Sequence, residues 1–217
     1  MKVVVLLSGG LDSTVLAAQF VEGGHVVLGL SANYGQRHVR ELDAAAAVSD
    51  ALSIRHNIVD LRGVTAAMDP ASSVLLSSTA MPHGQYSHES MAATVVPGRN
   101  LLFIAAAAAV AASRQYDAVA LGAHAGDHPV YPDCRPDFLV AAAGAVERGT
   151  GVELLFPFAE TDKTGIVALG ARLGAPLDLT WSCYDGGDVH CGRCGTCMER
   201  AEAFSLAGIP DPTAYGV

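Results

Sequence analysis

The chain has 217 residues, 51% of them apolar and 16% charged, with 22 Asp and Glu against 13 Lys and Arg for a formal charge of −9. That length accommodates one α/β domain with a small appendage, and the composition excludes a disordered or low-complexity chain. The acidity argues against direct nucleic-acid binding, which depends on clustered cations, and no apolar run free of polar breaks reaches the roughly 18 residues of a membrane span.

In chain order, Lys2–Leu7 reads as a strand running into a glycine turn, with no signal-peptide cleavage pattern in MKVVVLLSGG. A helix over Asp12–Glu22 follows, then a strand over Val26–Ala32 and a helix over His38–Leu52. The run His56–Leu61 is the weakest strand candidate, because Asn57 and Asp60 interrupt it. The segment Gly63–Gly98 breaks the rhythm with Pro70, Pro82, Pro97, the serine-rich run Ala71–Ser78 and a His83-Gly84 turn. A loop this long in a compact domain is usually functional, and it reads as a flap over the site. Beyond it come a helix over Asn100–Gln115, a strand over Ala118–Gly122, a helix over Arg135–Arg148, a strand over Val152–Phe156 and a helix over Lys163–Leu173. The Ala105–Ala109 run suits a helix packed closely on a sheet. Alternation of this kind predicts an α/β fold with a doubly wound parallel five-stranded sheet, its functional groups beyond the carboxyl ends of the strands. Residues 1–180 form this domain in the reading, and residues 181–217 form a small C-terminal unit.

The turn Ser8-Gly9-Gly10-Leu11-Asp12-Ser13, with Thr14 next, joins the first strand to the first helix. Two glycines permit a tight turn whose N–H groups face an anion, and the hydroxyls and helix N-terminus add to it. The pattern suits phosphate or pyrophosphate, without the lysine of GxxxxGK[ST]. Asp12 repels phosphate directly and is assigned to Mg²⁺ accompanying it. The structural alternative is an ordinary turn with Asp12 or Ser13 as helix cap.

Of five cysteines, Cys134 stands alone while Cys183, Cys191, Cys194 and Cys197 crowd into the C-terminal unit. Such clustering points to metal ligands in a reducing, cytoplasmic setting and not to a disulfide scaffold. Four thiolates fill the shell of a structural zinc ion, with an iron–sulfur cluster as the alternative and His190 as a competing ligand.

SGGLDS resembles the PP-loop of the N-type ATP pyrophosphatases, which have the adenine nucleotide alpha hydrolase-like fold and adenylate their substrates. Asn33-Tyr34-Gly35-Gln36-Arg37-His38, Val96-Pro97-Gly98-Arg99-Asn100, Tyr131-Pro132-Asp133-Cys134-Arg135-Pro136, Asp162-Lys163 and TWSCYDGG before CGRCGTC extend that likeness. Together, and in this order, they resemble the QueC family across nearly the whole chain, least over Gly63–Val95. The resemblance implies conversion of 7-carboxy-7-deazaguanine to 7-cyano-7-deazaguanine with ATP and ammonia, through an adenylate, an amide and a second adenylate. It implies ATP on Ser8, Gly9, Gly10, Leu11, Asp12, Ser13 and Thr14, with Asp12, Lys163 and Arg99 as catalytic groups and Mg²⁺ and zinc as cofactors. Tyr34, Gln36, Arg99, Asn100, Asp133 and Arg135 become the substrate candidates, Asp133 as acceptor for the base's amino and ring N–H. A homodimer is the expected assembly.

Each assignment has a structural alternative: Arg99 as a carboxylate partner, Arg135 as a bridge to Asp133 or Asp137, Asp133 as a helix cap, and His38 as a structural residue at the helix start. Cys134 reads as packed and not nucleophilic. Three departures from the family pattern are Asn33, Lys163-Thr164-Gly165 and Asp127-His128-Pro129-Val130. The last adjoins the substrate loop and leaves open a ligase that stops at the amide or uses another amine, such as a protein N-terminus. A PP-loop tRNA-modifying enzyme and a non-enzymatic zinc adaptor are the remaining readings.

Overall fold

Five parallel strands in the order β3-β2-β1-β4-β5 form the sheet of the computed structural model, which describes residues 1–37, 40–77, 79–87 and 91–216. They are β1 (Lys2–Leu6), β2 (Val26–Asn33), β3 (Arg55–Asp60), β4 (Ala118–Ala120) and β5 (Glu153–Leu155). The register pairs Val3 with Val27 and with Ala118, so β1 lies buried at the centre. β3 alternates exposed and half-buried residues because it is an edge strand, which explains its interrupted hydrophobicity. β4 and β5 are shorter than their apolar runs: Gly122 and Phe156 lie beyond the last paired residues.

The longer helices are α1 (Leu11–Glu22), α2 (Arg40–Ala51), α4 (Arg99–Ser113), α5 (Pro136–Thr150), α6 (Lys163–Leu173) and α7 (Gly195–Ala207), with one turn, α3 (Arg62–Thr65), after β3. His38, the expected start of α2, lies outside the described residues, as does Ser78 of the serine-rich run. One face of the sheet is covered by α4 and α5, where Ile104, Ala107, Leu139 and Val146 meet Val4 and Leu28. The other face carries α1, α2, α6 and α7, where Val15, Val48 and Ile166 meet Val3 and Val5. Ala203 and Phe204 of α7 belong to this second core, so the C-terminal unit shares packing with the domain.

Ala92–Ser113 is long and apolar enough, by composition alone, to cross a membrane, with mean hydropathy 1.7. Arg99 and Asn100 fall inside this stretch, so it is not an apolar run free of polar breaks. Its α-helical part, α4, spans 15 residues and packs Ile104, Ala107, Ala108 and Ala111 against the sheet. The proline-containing segment expected as a flap packs mostly elsewhere. Leu75, Met81 and Val96 join Cys183, Cys194 and Cys197 in a third cluster. Of its described residues before Arg99, Tyr86 alone lines the cleft described next.

Candidate active site

The strand order reverses between β1 and β4, whose following helices α1 and α5 leave toward opposite faces. At such a switch point an open α/β sheet forms a crevice. Here a solvent-open cleft lies at that crevice, lined by the ends of β1, β2 and β4, the glycine turn and residues of the C-terminal unit.

The glycine turn forms its floor. Gly9 adopts φ +83°, and a Cβ there would overlap the Glu41 carbonyl oxygen and lie 2.7 Å from Ala45 N, because α2 docks directly on the turn. Gly10 is the N-cap of α1 and supplies no side-chain cap, so neither Asp12 nor Ser13 caps the helix. Instead, Ser13 Oγ accepts from Ser8 N–H at 3.1 Å and donates to Gly10 O at 3.2 Å, bracing the turn. Ser8, Gly10, Leu11, Asp12 and Ser13 line the cleft. The first-turn N–H groups of a helix have no intrahelical acceptors and favour an anion. Gly9 faces α2, and Thr14 is fully buried with its hydroxyl unpartnered; neither lines the cleft. Gly9→Ala is expected to cost roughly 2–4 kcal/mol, from left-handed strain plus overpacking. Chemical denaturation reads this, and an unchanged midpoint would contradict the tight docking of α2 on the turn.

Lys163 forms the second feature. Asp162 caps α6 by accepting from Gly165 N–H at 2.7 Å, which makes Lys163 the first helical residue. A cation there opposes the helix dipole. Carboxylates offset this: Lys163 Nζ lies 2.7 Å from Asp12 Oδ2 and 3.2 Å from Glu199 Oε2. Burial alone would lower the Lys163 pKa, but Asp12 and Glu199 hold it well above the ordinary lysine value. Burial likewise pushes Asp12 up, and Lys163 and His124 outweigh it, leaving the carboxyl below its usual range. Asp12 Oδ1 remains buried without a partner. His124, only 1% exposed, accepts at Nδ1 from Gly126 N–H at 3.1 Å. Its Nε2 sits 3.2 Å from Lys163 Nζ and 3.5 Å from Asp127 Oδ2.

The third feature is a wall of aromatic rings around Arg99, the first residue of α4. Its guanidinium lies 5.7 Å over the Tyr131 ring with Tyr34 beside it, and the Tyr34 ring meets Phe103 at 5.4 Å. Burial works against its charge, yet the surrounding tyrosines Tyr34, Tyr184 and Tyr131 hold the Arg99 pKa above the ordinary arginine value. Asn100 lines the cleft, donating from Nδ2 to Asp133 O at 3.2 Å and Cys134 Sγ at 3.1 Å. Burial pushes the Cys134 thiol far up, in keeping with a packed and protonated side chain.

Of the substrate candidates, Tyr34, Arg99 and Asn100 therefore meet in the cleft. Gln36, Asp133 and Arg135 do not line it. Gln36 is buried and holds the Glu41 carboxylate at 2.9 Å. Asp133 Oδ2 accepts from Asn100 N–H at 2.8 Å, fastening the start of α4. Arg135 is exposed and donates to His128 O at 3.1 Å. Glu41, His124, Asp127 and Glu199 were not singled out for the site by the sequence reading. An acidic residue on the first turn after β2 and a histidine just past β4 are the signals that point to two of them.

The four clustered cysteines converge, with all four Sγ atoms within 4.8 Å of one another. Tetrahedral thiolate coordination by zinc requires sulfur separations of about 3.8 Å, so the set fits one metal ion. Backbone N–H groups of Cys191 and Cys194 point at Cys183 Sγ and Cys191 Sγ at 3.4 and 3.2 Å, as suits thiolates. His190 faces elsewhere: Nε2 accepts from Ser182 N–H at 3.0 Å.

The C-terminal unit also builds the cleft. Trp181 N–H donates to Gly9 O at 2.8 Å, and Trp181, Ser182, Tyr184, Thr196 and Glu199 line the cavity. Arg200, fully buried on α7, binds Thr180 Oγ1 at 2.6 Å, Leu177 O at 3.0 Å and Asp211 at 3.2 Å. The cysteine-bearing helix α7 and the glycine turn are thereby joined through one buried guanidinium.

Comparison with known proteins bears on family and fold. The chain is 47% identical over 219 residues to the 7-cyano-7-deazaguanine synthase of Rhizobium johnstonii, covering 99% of this chain and 92% of that one. It is 49% identical over 220 residues to the 7-cyano-7-deazaguanine synthase of Allorhizobium ampelinum, with the same coverage. Among solved structures, the NMN synthetase from Francisella tularensis superposes with a TM-score of 0.54 at 17% identity, over 96% of this chain and 77% of that chain, a likeness of fold. The sequence profile of the queuosine biosynthesis protein QueC matches residues 2–208, and the chain belongs to the QueC family of enzymes.

Proposed function

We propose that the protein converts 7-carboxy-7-deazaguanine to 7-cyano-7-deazaguanine with ATP and ammonia. The observation that carries this reading is the single cleft, which joins an anion-binding turn with Lys163 on one side to the Arg99 and tyrosine wall on the other. The substrate carboxylate attacks the α-phosphorus of ATP, and pyrophosphate departs into the Ser8–Ser13 turn. Ammonia displaces AMP from the acyl-adenylate and gives the amide after loss of a proton. The amide oxygen then attacks a second ATP, and loss of AMP and the remaining N–H protons leaves the nitrile. In this reading Lys163 offsets the charge that develops during phosphoryl transfer, and Arg99 holds the substrate's anionic group.

Asp12 would hold Mg²⁺ through its unpartnered Oδ1, and that ion supplies charge neutralisation to the triphosphate. Cys183, Cys191, Cys194 and Cys197 would hold zinc in a structural role, since four thiolates leave no open position. Stoichiometric zinc without iron or acid-labile sulfide is the expected metal analysis. Exposed Leu101 and Val140, on α4 and α5, support a homodimer, and a monomer mass by light scattering would exclude it.

Mass spectrometry after incubation with ATP, Mg²⁺, ammonia and 7-carboxy-7-deazaguanine tests the function. The expected products are the nitrile, AMP and pyrophosphate. An amide that persists would instead favour a ligase that stops early. Absence of both AMP and modified base would overturn the reading.

A further inference from the structure

Among the described residues four carboxylates line the cleft, and three are engaged with one another's partners. Asp12 and Glu199 hold Lys163, while Asp127 accepts from the Tyr86 hydroxyl at 3.1 Å and lies beside His124. Glu41 stands apart on the first turn of α2. Among the described residues no Lys, Arg or His forms an ion pair with it, and its one side-chain hydrogen bond is from Gln36 Nε2 to Oε1. Gln36 is itself fixed, with Oε1 accepting from Tyr34 N–H at 2.9 Å and Nε2 also donating to Ala32 O at 3.1 Å.

We propose that Glu41 is the specificity residue for the heterocycle, its carboxylate accepting both the ring N–H and the adjacent exocyclic amino group of a 2-amino-oxo-pyrrolopyrimidine. This rests on the proposed function and names the group that reads its substrate class. An ionised carboxylate is acceptor-only with room for several donors, and one bond from Gln36 leaves that capacity unfilled. Burial pushes the Glu41 carboxyl up to about 7, against the pull of Arg99 and Gln36, which marks a desolvated group short of donors. Two parallel N–H donors on a flat ring supply what it lacks. Tyr34 and Phe103 offer the flat apolar faces such a ring needs, and Arg99 supplies the opposite charge for the substituent that reacts. Asp133, the other carboxylate suited to this task by type, is occupied at the start of α4.

The test compares 7-carboxy-7-deazaguanine with its analogue lacking the 2-amino group, by kcat/KM and by calorimetric binding without ATP. A site built around a donor pair rejects the analogue missing one donor, here by about 100-fold or more. In Glu41→Gln, whose amide offers one acceptor and one clashing donor, that preference is expected to fall below about tenfold, with KM for ATP within about threefold of wild type. Melting curves establish that the variant is folded. Wild-type discrimination below tenfold overturns the proposal without recourse to a variant. So does a folded Glu41→Gln protein that keeps full discrimination, or one that loses ATP affinity instead. If the wild-type protein converts neither compound, the proposed function itself fails and the assignment of Glu41 falls with it.

Discussion

Lys163→Ala is expected to lower kcat for AMP formation by roughly 100- to 1000-fold, the usual loss when a preorganised group opposite developing charge is removed. Lys163 Nζ is held by Asp12 at 2.7 Å and Glu199 at 3.2 Å, with side-chain exposures of 17%, 23% and 14% for the three. It is therefore positioned before ligand arrives and requires little reorganisation at the moment of reaction. The loss should fall on kcat more than on KM for the deazaguanine, because Arg99 and Tyr34 form the opposite wall. Removing the cation also leaves Asp12 and Glu199 facing each other, so Lys163→Gln and Lys163→Ala should melt below wild type. A kcat within tenfold of wild type in a folded variant would remove Lys163 from the chemistry.

The pH behaviour of this pair follows from the directions of its shifts. Asp12 is held below its usual range, so its contribution to stability is present above the unfolded value and lost as pH falls through the folded one. Lys163 is held above its usual range, so its contribution is present below the unfolded value and lost as pH rises through the folded one. Across about pH 5 to 9 both stay charged, and a titration of the ion pair in that window would contradict the geometry.

Arg200→Ala should be the most destabilising single truncation in the C-terminal unit, costing roughly 3–5 kcal/mol, as loss of one partner from a buried ion pair does. The side chain is fully buried and bonds Thr180, Ser182, Leu177 O and Asp211. Its removal strips Asp211 of its cation, leaving only the Thr213 N–H and Tyr215 hydroxyl bonds, and loosens the segment that carries Trp181 to Gly9 O. At about 2–4 °C per kcal/mol for a chain of this size, the melting temperature should fall by about 10 °C. Arg200→Lys should recover only part, since an ammonium cannot span the same acceptors. A shift below about 2 °C for Arg200→Ala would show that the connection is not structural.

Much of this site is legible residue by residue, and its connections are not. The strands and helices follow from apolar runs and turn chemistry, and the glycine turn follows from six consecutive residues. Lys163 and Asp12 are each singled out by local pattern, yet their 2.7 Å contact spans 151 positions and appears only on folding. Glu199 lies two residues beyond Cys197 and reads as part of a metal unit, while α7 turns it into the cleft. Asp133 and Gln36 show the opposite case. Both sit in segments that carry the family resemblance, but their polar groups serve Asn100 and Glu41. Residue type announces hydrogen-bonding capacity, and packing decides which partner receives it.

The most direct test labels both carboxylate oxygens of 7-carboxy-7-deazaguanine with ¹⁸O and follows AMP by mass spectrometry. Adenylation of the carboxylate and then of the amide hands one labelled oxygen to AMP in each step. The expected result is two AMP per nitrile, each with a single ¹⁸O, and pyrophosphate without label. Unlabelled AMP, or ADP and phosphate in its place, would contradict adenylation in this cleft.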